Sequence, residues 1–259
     1  MLKIFNPMYE TIITLNEYDC EVLHDSEFEM LYKNFRSNLK KVFYGTIFIS
    51  EIQDDDNLMQ KYEYIIRPAI IEYVFQKITT VWDVSYQIGN KILNFRKAKK
   101  NENKYDVLQK EFDERSINQF DFKWYKEFNM LRNRLTHGGL NIITFYDDKR
   151  IKFQIYDNDV EEVVEYNDYY NDGQRLIIFA DYYFTYYTVL LHNYLCNFFK
   201  FINSQVVLNN INSNCENIDS FFKGQHKYFP LIKLEQFNSL INDMNKNKDE
   251  NERYDFYYR

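Results

Sequence analysis

The chain has 259 residues and a formal charge of −7, with 24 Tyr and 23 Phe against only 6 Gly and 3 Pro. That length allows one large domain or two small ones, and so few chain breakers favour long helices over a loop-rich β architecture. The acidic balance excludes a generic nucleic-acid coat, and three widely spaced cysteines, Cys20, Cys196 and Cys215, exclude a disulfide scaffold and a C-x-x-C metal or redox site.

Residues 1–25 read as an N-terminal extension whose start, Met1 to Pro7, lacks the apolar run of a signal peptide. With the cysteine spacing, this predicts a reducing, cytoplasmic setting, no structural metal and no cofactor. Ser26 and Glu29 form a capping-box pattern ahead of Phe28, Leu31, Tyr32, Phe35, Leu39, Val42 and Phe43. That spacing predicts a helix over 26–52. Asp54, Asp55 and Asp56 break it and can cap the next. A second apolar segment runs from Leu58 to about Phe95, interrupted at Pro68. Its broad face, from Ile70 through Trp82 to Ile88, belongs to a central bundle helix.

A lysine-rich turn at 96–104 and a helix at about 105–114 follow. The next helix is expected from about Asn118 to His137, with Phe120, Trp124, Phe128, Leu131 and Leu135 inward and Gly138 as a C′ residue. From Asn141 the period changes to two, which predicts a β-hairpin at about 141–157 turning at Asp147-Asp148-Lys149-Arg150. Residues 157–172 are acidic and without pattern, and a long helix is expected over about 174–207. Tyr182 to Phe199 is uncharged, but its five tyrosines, two threonines, His192 and two asparagines favour a buried helix over a membrane span. The tyrosines at helical spacing read as core or dimer interface, and His192 as a satisfied core or interface histidine. Residues 208–259 read as a polar extension with a short helix near 232–245.

One segment concentrates chemistry: Leu131-Arg132-Asn133-Arg134-Leu135-Thr136-His137-Gly138-Gly139. Charge concentrates there too. Residues 91–135 hold 12 Lys/Arg and 7 Asp/Glu, a local +5 on a remainder of −12. A basic stripe on an acidic body suits a polyanion at one place, although the run at 96–100 alone reads as a solvated loop. The spacing Arg132-Asn133-x-x-x-His137 resembles the signature of the HEPN superfamily, many members of which are metal-independent ribonucleases. The resemblance implies an α-helical bundle and a homodimer in which two Arg/His pairs share one composite cleft. Some HEPN toxins continue the motif as His-x-Tyr, the tyrosine being modified by a partner nucleotidyltransferase. Gly139 stands at that position here, so the resemblance does not extend to that regulation.

RNA carries its own nucleophile in the 2′-hydroxyl. Cleavage then needs a base, an acid for the leaving 5′-oxygen and positive charge on the phosphorane. Imidazole titrates near neutrality, so His137 suits proton transfer. Arg132 suits a two-pronged grip on phosphate oxygens. Asn133, four residues before His137, shares its face and can orient it. Arg134, Thr136, Lys123 and Lys126 are candidates for substrate binding or support. Acidic residues on the second bundle helix often support the motif arginine in HEPN proteins, which suggests a pairing of Asp83 with Arg132 or Arg134. On the residues alone, Arg132 can equally pair structurally with an acid, Asn133 bond backbone and His137 cap its helix. The expected protein is a mainly α, HEPN-like antiparallel bundle (residues 26–207) with a β-hairpin insertion after the motif helix. Its expected activity is endoribonuclease, as a toxin or anti-phage defence component that meets RNA, a second copy of itself and an antitoxin or defence partner, but no membrane. The alternative is a non-catalytic HEPN module binding RNA, nucleotide or a protein.

Overall fold

The structure, a computed structural model, describes residues 3–18, 21–97, 99, 102, 104–115, 123–137, 142–155, 177–209 and 220–246. It is mainly helical. In chain order the elements are β1 (Lys3–Phe5), α1 (Tyr9–Glu17), a 3₁₀ turn (Glu21–His24), α2 (Ser26–Ile52), α3 (Asp56–Lys61), α4 (Glu63–Leu93), α5 (Lys104–Arg115) and α6 (Lys123–His137). Then come β2 (Ile142–Asp147), β3 (Arg150–Ile155), β4 (Ile177–Phe179), α7 (Ala180–Asn209), α8 (Ser220–Lys223), β5 (Tyr228–Pro230) and α9 (Leu234–Asn245). No helix among the described residues is long and apolar enough to cross a membrane.

Three long helices, α2, α4 and α7, meet along a common apolar seam. Glycines set how closely they approach. A Cβ on Gly45 would lie 2.9 Å from Val74 Cγ2, and one on Gly89 would lie 2.6 Å from Phe198 Cζ, so both crossings depend on the missing side chain. Around them the interior is filled by rings: Phe75 lies 5.1 Å from Phe184, and Tyr183 4.6 Å from Tyr187. The tyrosines Tyr183, Tyr186, Tyr187 and Tyr194 are buried in this core. His192 is also core. Its Nε2 lies 3.2 Å from the Phe5 carbonyl, and burial depresses its pKa to about 4.

Several boundaries differ from those the sequence suggests. The N-cap of α2 is Asp25, whose carboxylate accepts from the Glu27 N–H at 2.8 Å, and Ser26 is the first helical residue. Asp55 caps α3 as expected, accepting from Leu58 N–H at 3.0 Å. Pro68 does not interrupt the second segment: it lies inside α4, and the break falls at Tyr62. Pro68 is the sixth residue of α4, where its missing N–H removes one rung of the hydrogen-bond ladder, toward the Tyr64 carbonyl, without ending the helix. The stretch 177–179, expected to be helical, is a strand against β3.

The hairpin forms as the alternation requires, in the order β2-β3-β4. Asp148 and Lys149 turn it with φ of 50° and 58°, the twist that tight hairpins favour. A buried polar knot fastens it to the bundle. Asp181 accepts from Arg150 at 2.7 Å and from Gln53 at 3.2 Å, and Gln53 Oε1 accepts from the Ile151 N–H at 3.2 Å. The two terminal segments are not polar appendages. β1 pairs antiparallel with β5, and Ile4, Met8, Leu15, Leu231, Phe237 and Met244 join the same apolar core as the bundle. Asn118, Phe120, Gly138, Gly139, Cys20, Cys215 and residues 157–172 lie outside the described residues.

Candidate functional site

The helix α6 lies antiparallel on α4. Trp82 stacks on Tyr125 at 4.1 Å with planes 9° apart, and Phe75 meets Phe128 at 4.7 Å, so the pairing runs backwards along α4 as it advances along α6. Trp124, Tyr125, Phe128 and Leu131 are buried, and Leu135 is half-buried. These side chains recur at three- and four-residue spacing, which is why one stripe of α6 is fixed and the other face is left to chemistry. At its other flank, Lys126 reaches Asp106 of α5 at 3.2 Å across an exposed contact.

Arg132 occupies the edge of this stripe. One guanidinium nitrogen donates to Asn129 Oδ1 at 2.9 Å and lies 3.8 Å from Asp83 Oδ2 on α4. The pair is partly open, with side-chain exposures of 23% for Arg132 and 33% for Asp83. Its Nε is buried and has no hydrogen-bond partner among the described residues. Two phenols border the pair. Tyr105 is pushed up to about 12, by burial first and then by the Asp83 charge. Tyr125 is pushed up for the same reasons, so both remain protonated donors beside the carboxylate. Of the two arginines the sequence offered to Asp83, Arg132 lies within ion-pair distance of it. Arg134 projects about 200° further round the helix and is half-buried there.

Asn133 and His137 stand apart. Both are exposed, and neither makes a side-chain hydrogen bond among the described residues. The expected touch between them is not made in a single chain. Five residues separate Arg132 from His137, which turns their stems about 140° apart and displaces them about 7.5 Å along the axis. Thr136 is exposed, and its hydroxyl donates back to the Arg132 carbonyl at 2.9 Å, so its role there is local. The Lys123 side chain lies outside the described residues. Among the described residues, no three His, Cys, Asp or Glu side chains gather as metal ligands.

Two features escaped the sequence reading. Asn129 is the nearest partner of Arg132, and only its position three residues earlier on the same helix hinted at this. A cleft of about 220 Å³ also opens between α4 and α6, lined by Glu72, Phe75, Gln76, Arg132, Leu135 and Thr136. Its polar members on α4 carry no local signature; they fall at the cleft only because α6 crosses there.

No protein-family model, no curated protein and no solved structure matches the chain.

Proposed function

We propose that this protein is a metal-independent endoribonuclease of HEPN type that acts as a homodimer. The observation that carries the reading is on α6. Asn129 and Asp83 hold the guanidinium of Arg132, while Asn133 and His137 face solvent on the same helix. A held cation for phosphate and an open imidazole for proton transfer are equipment that RNA transesterification requires.

In this mechanism Arg132 grips the non-bridging oxygens of the scissile phosphate. The 2′-oxygen attacks phosphorus and the bond to the 5′-oxygen breaks. One imidazole takes the 2′-hydroxyl proton and another supplies the proton that the 5′-oxygen needs. The products are a 2′,3′-cyclic phosphate and a free 5′-hydroxyl. Asn133 orients the imidazole or a phosphate oxygen. Because the stems of Arg132 and His137 diverge within one chain, two α6 helices related by a two-fold axis would assemble the two Arg/His pairs around one cleft.

The test pairs RNA cleavage with thermal melting. His137→Ala should lower the cleavage rate by roughly 10²–10⁴-fold with melting unchanged. Arg132→Lys should fail too, since an ammonium cannot reproduce a planar two-pronged grip. Cleavage should survive chelation by EDTA, and light scattering should give the mass of two chains. A folded His137→Ala protein that cleaves as fast as the natural chain sinks the nuclease reading. One observation favours the second reading, a non-catalytic module that binds RNA, nucleotide or a protein. Arg132 already has a carboxylate and a carboxamide as partners, as a structural arginine would. RNA binding without cleavage would establish it.

A further inference from the structure

The cleft beside Arg132 has a composition suited to a purpose. Leu135 and, beneath the surface, the buried Phe75 lie under it, and its α4 wall carries Glu72 and Gln76. These two residues are four apart, so they stand side by side on one helix face. Both side chains are exposed, and neither makes a hydrogen bond or ion pair among the described residues. The nearest cation on the cleft, Arg132, is engaged by Asp83 and Asn129 instead. A carboxylate and a carboxamide are thus left open next to the group proposed to hold phosphate. At about 220 Å³ the cleft is small; sites that engulf a drug-sized ligand run ~300–1,000 Å³. It has room for one base, not a whole nucleotide.

Resting on the ribonuclease reading, we infer that this cleft is the base-recognition subsite and that it selects guanine. Single-stranded RNA is read on the Watson–Crick edges of bases splayed out of the stack. Guanine alone presents two adjacent N–H donors there, N1–H and N2–H, beside the acceptor O6. Glu72 takes both donors in a charge-assisted, two-pronged contact, and the Gln76 amide donates to O6. Adenine and cytosine offer one amino group next to a ring acceptor, which would face the carboxylate. Uracil offers one N–H flanked by two oxygens that the carboxylate repels. The half-buried Leu135 borders the ring. Glu72 and Gln76 are therefore assigned as specificity residues, and Arg132 holds the adjoining phosphate.

The experiment measures the full-length chain by calorimetry with guanosine, adenosine, cytidine and uridine 3′-monophosphates. In parallel, cleavage is mapped on an RNA that contains every base in single-stranded form. Guanosine 3′-monophosphate should bind tightest. Glu72→Gln should weaken that ligand roughly ten- to hundredfold, the worth of one matched two-pronged contact, and should not weaken the other three, whose acceptors no longer face a carboxylate. Gln76→Ala should weaken it less, and cleavage after guanosine should fade in step. Because both side chains are exposed, neither variant endangers the fold. Four equal affinities, or a guanosine preference that survives Glu72→Gln, overturns the inference. If the chain cleaves RNA without base preference, this subsite falls and the ribonuclease reading stands. If guanosine preference depends on Glu72 but no RNA is cut, the subsite stands and the ribonuclease reading falls.

Discussion

Two arginine–aspartate contacts in this protein use the same chemistry for different ends. Arg150 and Asp181 meet at 2.7 Å with only 4% of the carboxylate side chain exposed. Asp181 also accepts from Gln53, and the guanidinium lies 4.0 Å from the Phe179 ring and 4.1 Å from the Tyr182 ring. Arg132 and Asp83 meet at 3.8 Å, a quarter to a third exposed, with Arg132 Nε unpartnered among the described residues. The histidines repeat the contrast. His192 is enclosed by the core and bonded to a backbone carbonyl, whereas His137 is open to solvent. Asp181 and His192 take protein partners because water does not reach them; the exposed groups at the edge of α6 retain capacity for a ligand.

Loss of the enclosed carboxylate should cost the most. Asp181→Ala leaves Arg150 without its carboxylate and frees Gln53, so stability should drop by about 3–5 kcal/mol, read as a lower denaturant midpoint. If that variant is as stable as the natural chain, the buried pair is not a fastener.

Next comes pH. The folded pKa of His192, about 4, lies below the ordinary 6.5. Between those values the unfolded chain binds more protons than the folded one. Stability from this group is therefore complete above about pH 6.5 and is lost as pH falls toward 4, by about 3 kcal/mol in total. Denaturant titrations at several pH values should show that decline, and His192→Gln, which does not titrate, should remove its share.

Asp83→Ala should separate the two arginine contacts. An exposed ion pair of this kind contributes no more than about 1 kcal/mol to stability, so melting should barely move. Cleavage should still fall by roughly tenfold or more, because the Arg132 head group would lose its orientation. Equal losses of stability for Asp83→Ala and Asp181→Ala would erase the distinction drawn above.

The smallest effect belongs to the hairpin turn. Lys149 holds φ of 58°, a conformation that glycine adopts without steric cost. Lys149→Gly should stabilise by roughly 0.5–1 kcal/mol, seen as a small rise in melting temperature with cleavage unchanged.

What was legible in sequence follows from local rules. The span of α2, the aspartate cap of α3, the two-residue turn at Asp148 and Lys149, and the helix near the C-terminal end all come from periodicity and capping within a few residues. The apolar stripe of α6 was equally readable, and with it the open position of His137. Long-range pairing was not. β1 and β5 are three-residue strands separated by most of the chain, and neither carries enough alternation to announce the other. β4 is as short and merges with the start of α7. At the candidate site, residue type and helix spacing are local properties, so the residues able to do chemistry could be read along the chain. That Arg132 turns toward Asn129 and Asp83, and that Glu72 and Gln76 border the same cleft, follow from packing alone. Those outcomes depend on where α6 crosses α4, and that crossing is set by the packing of Trp82, Phe75, Tyr125 and Phe128, not by any signal within the motif.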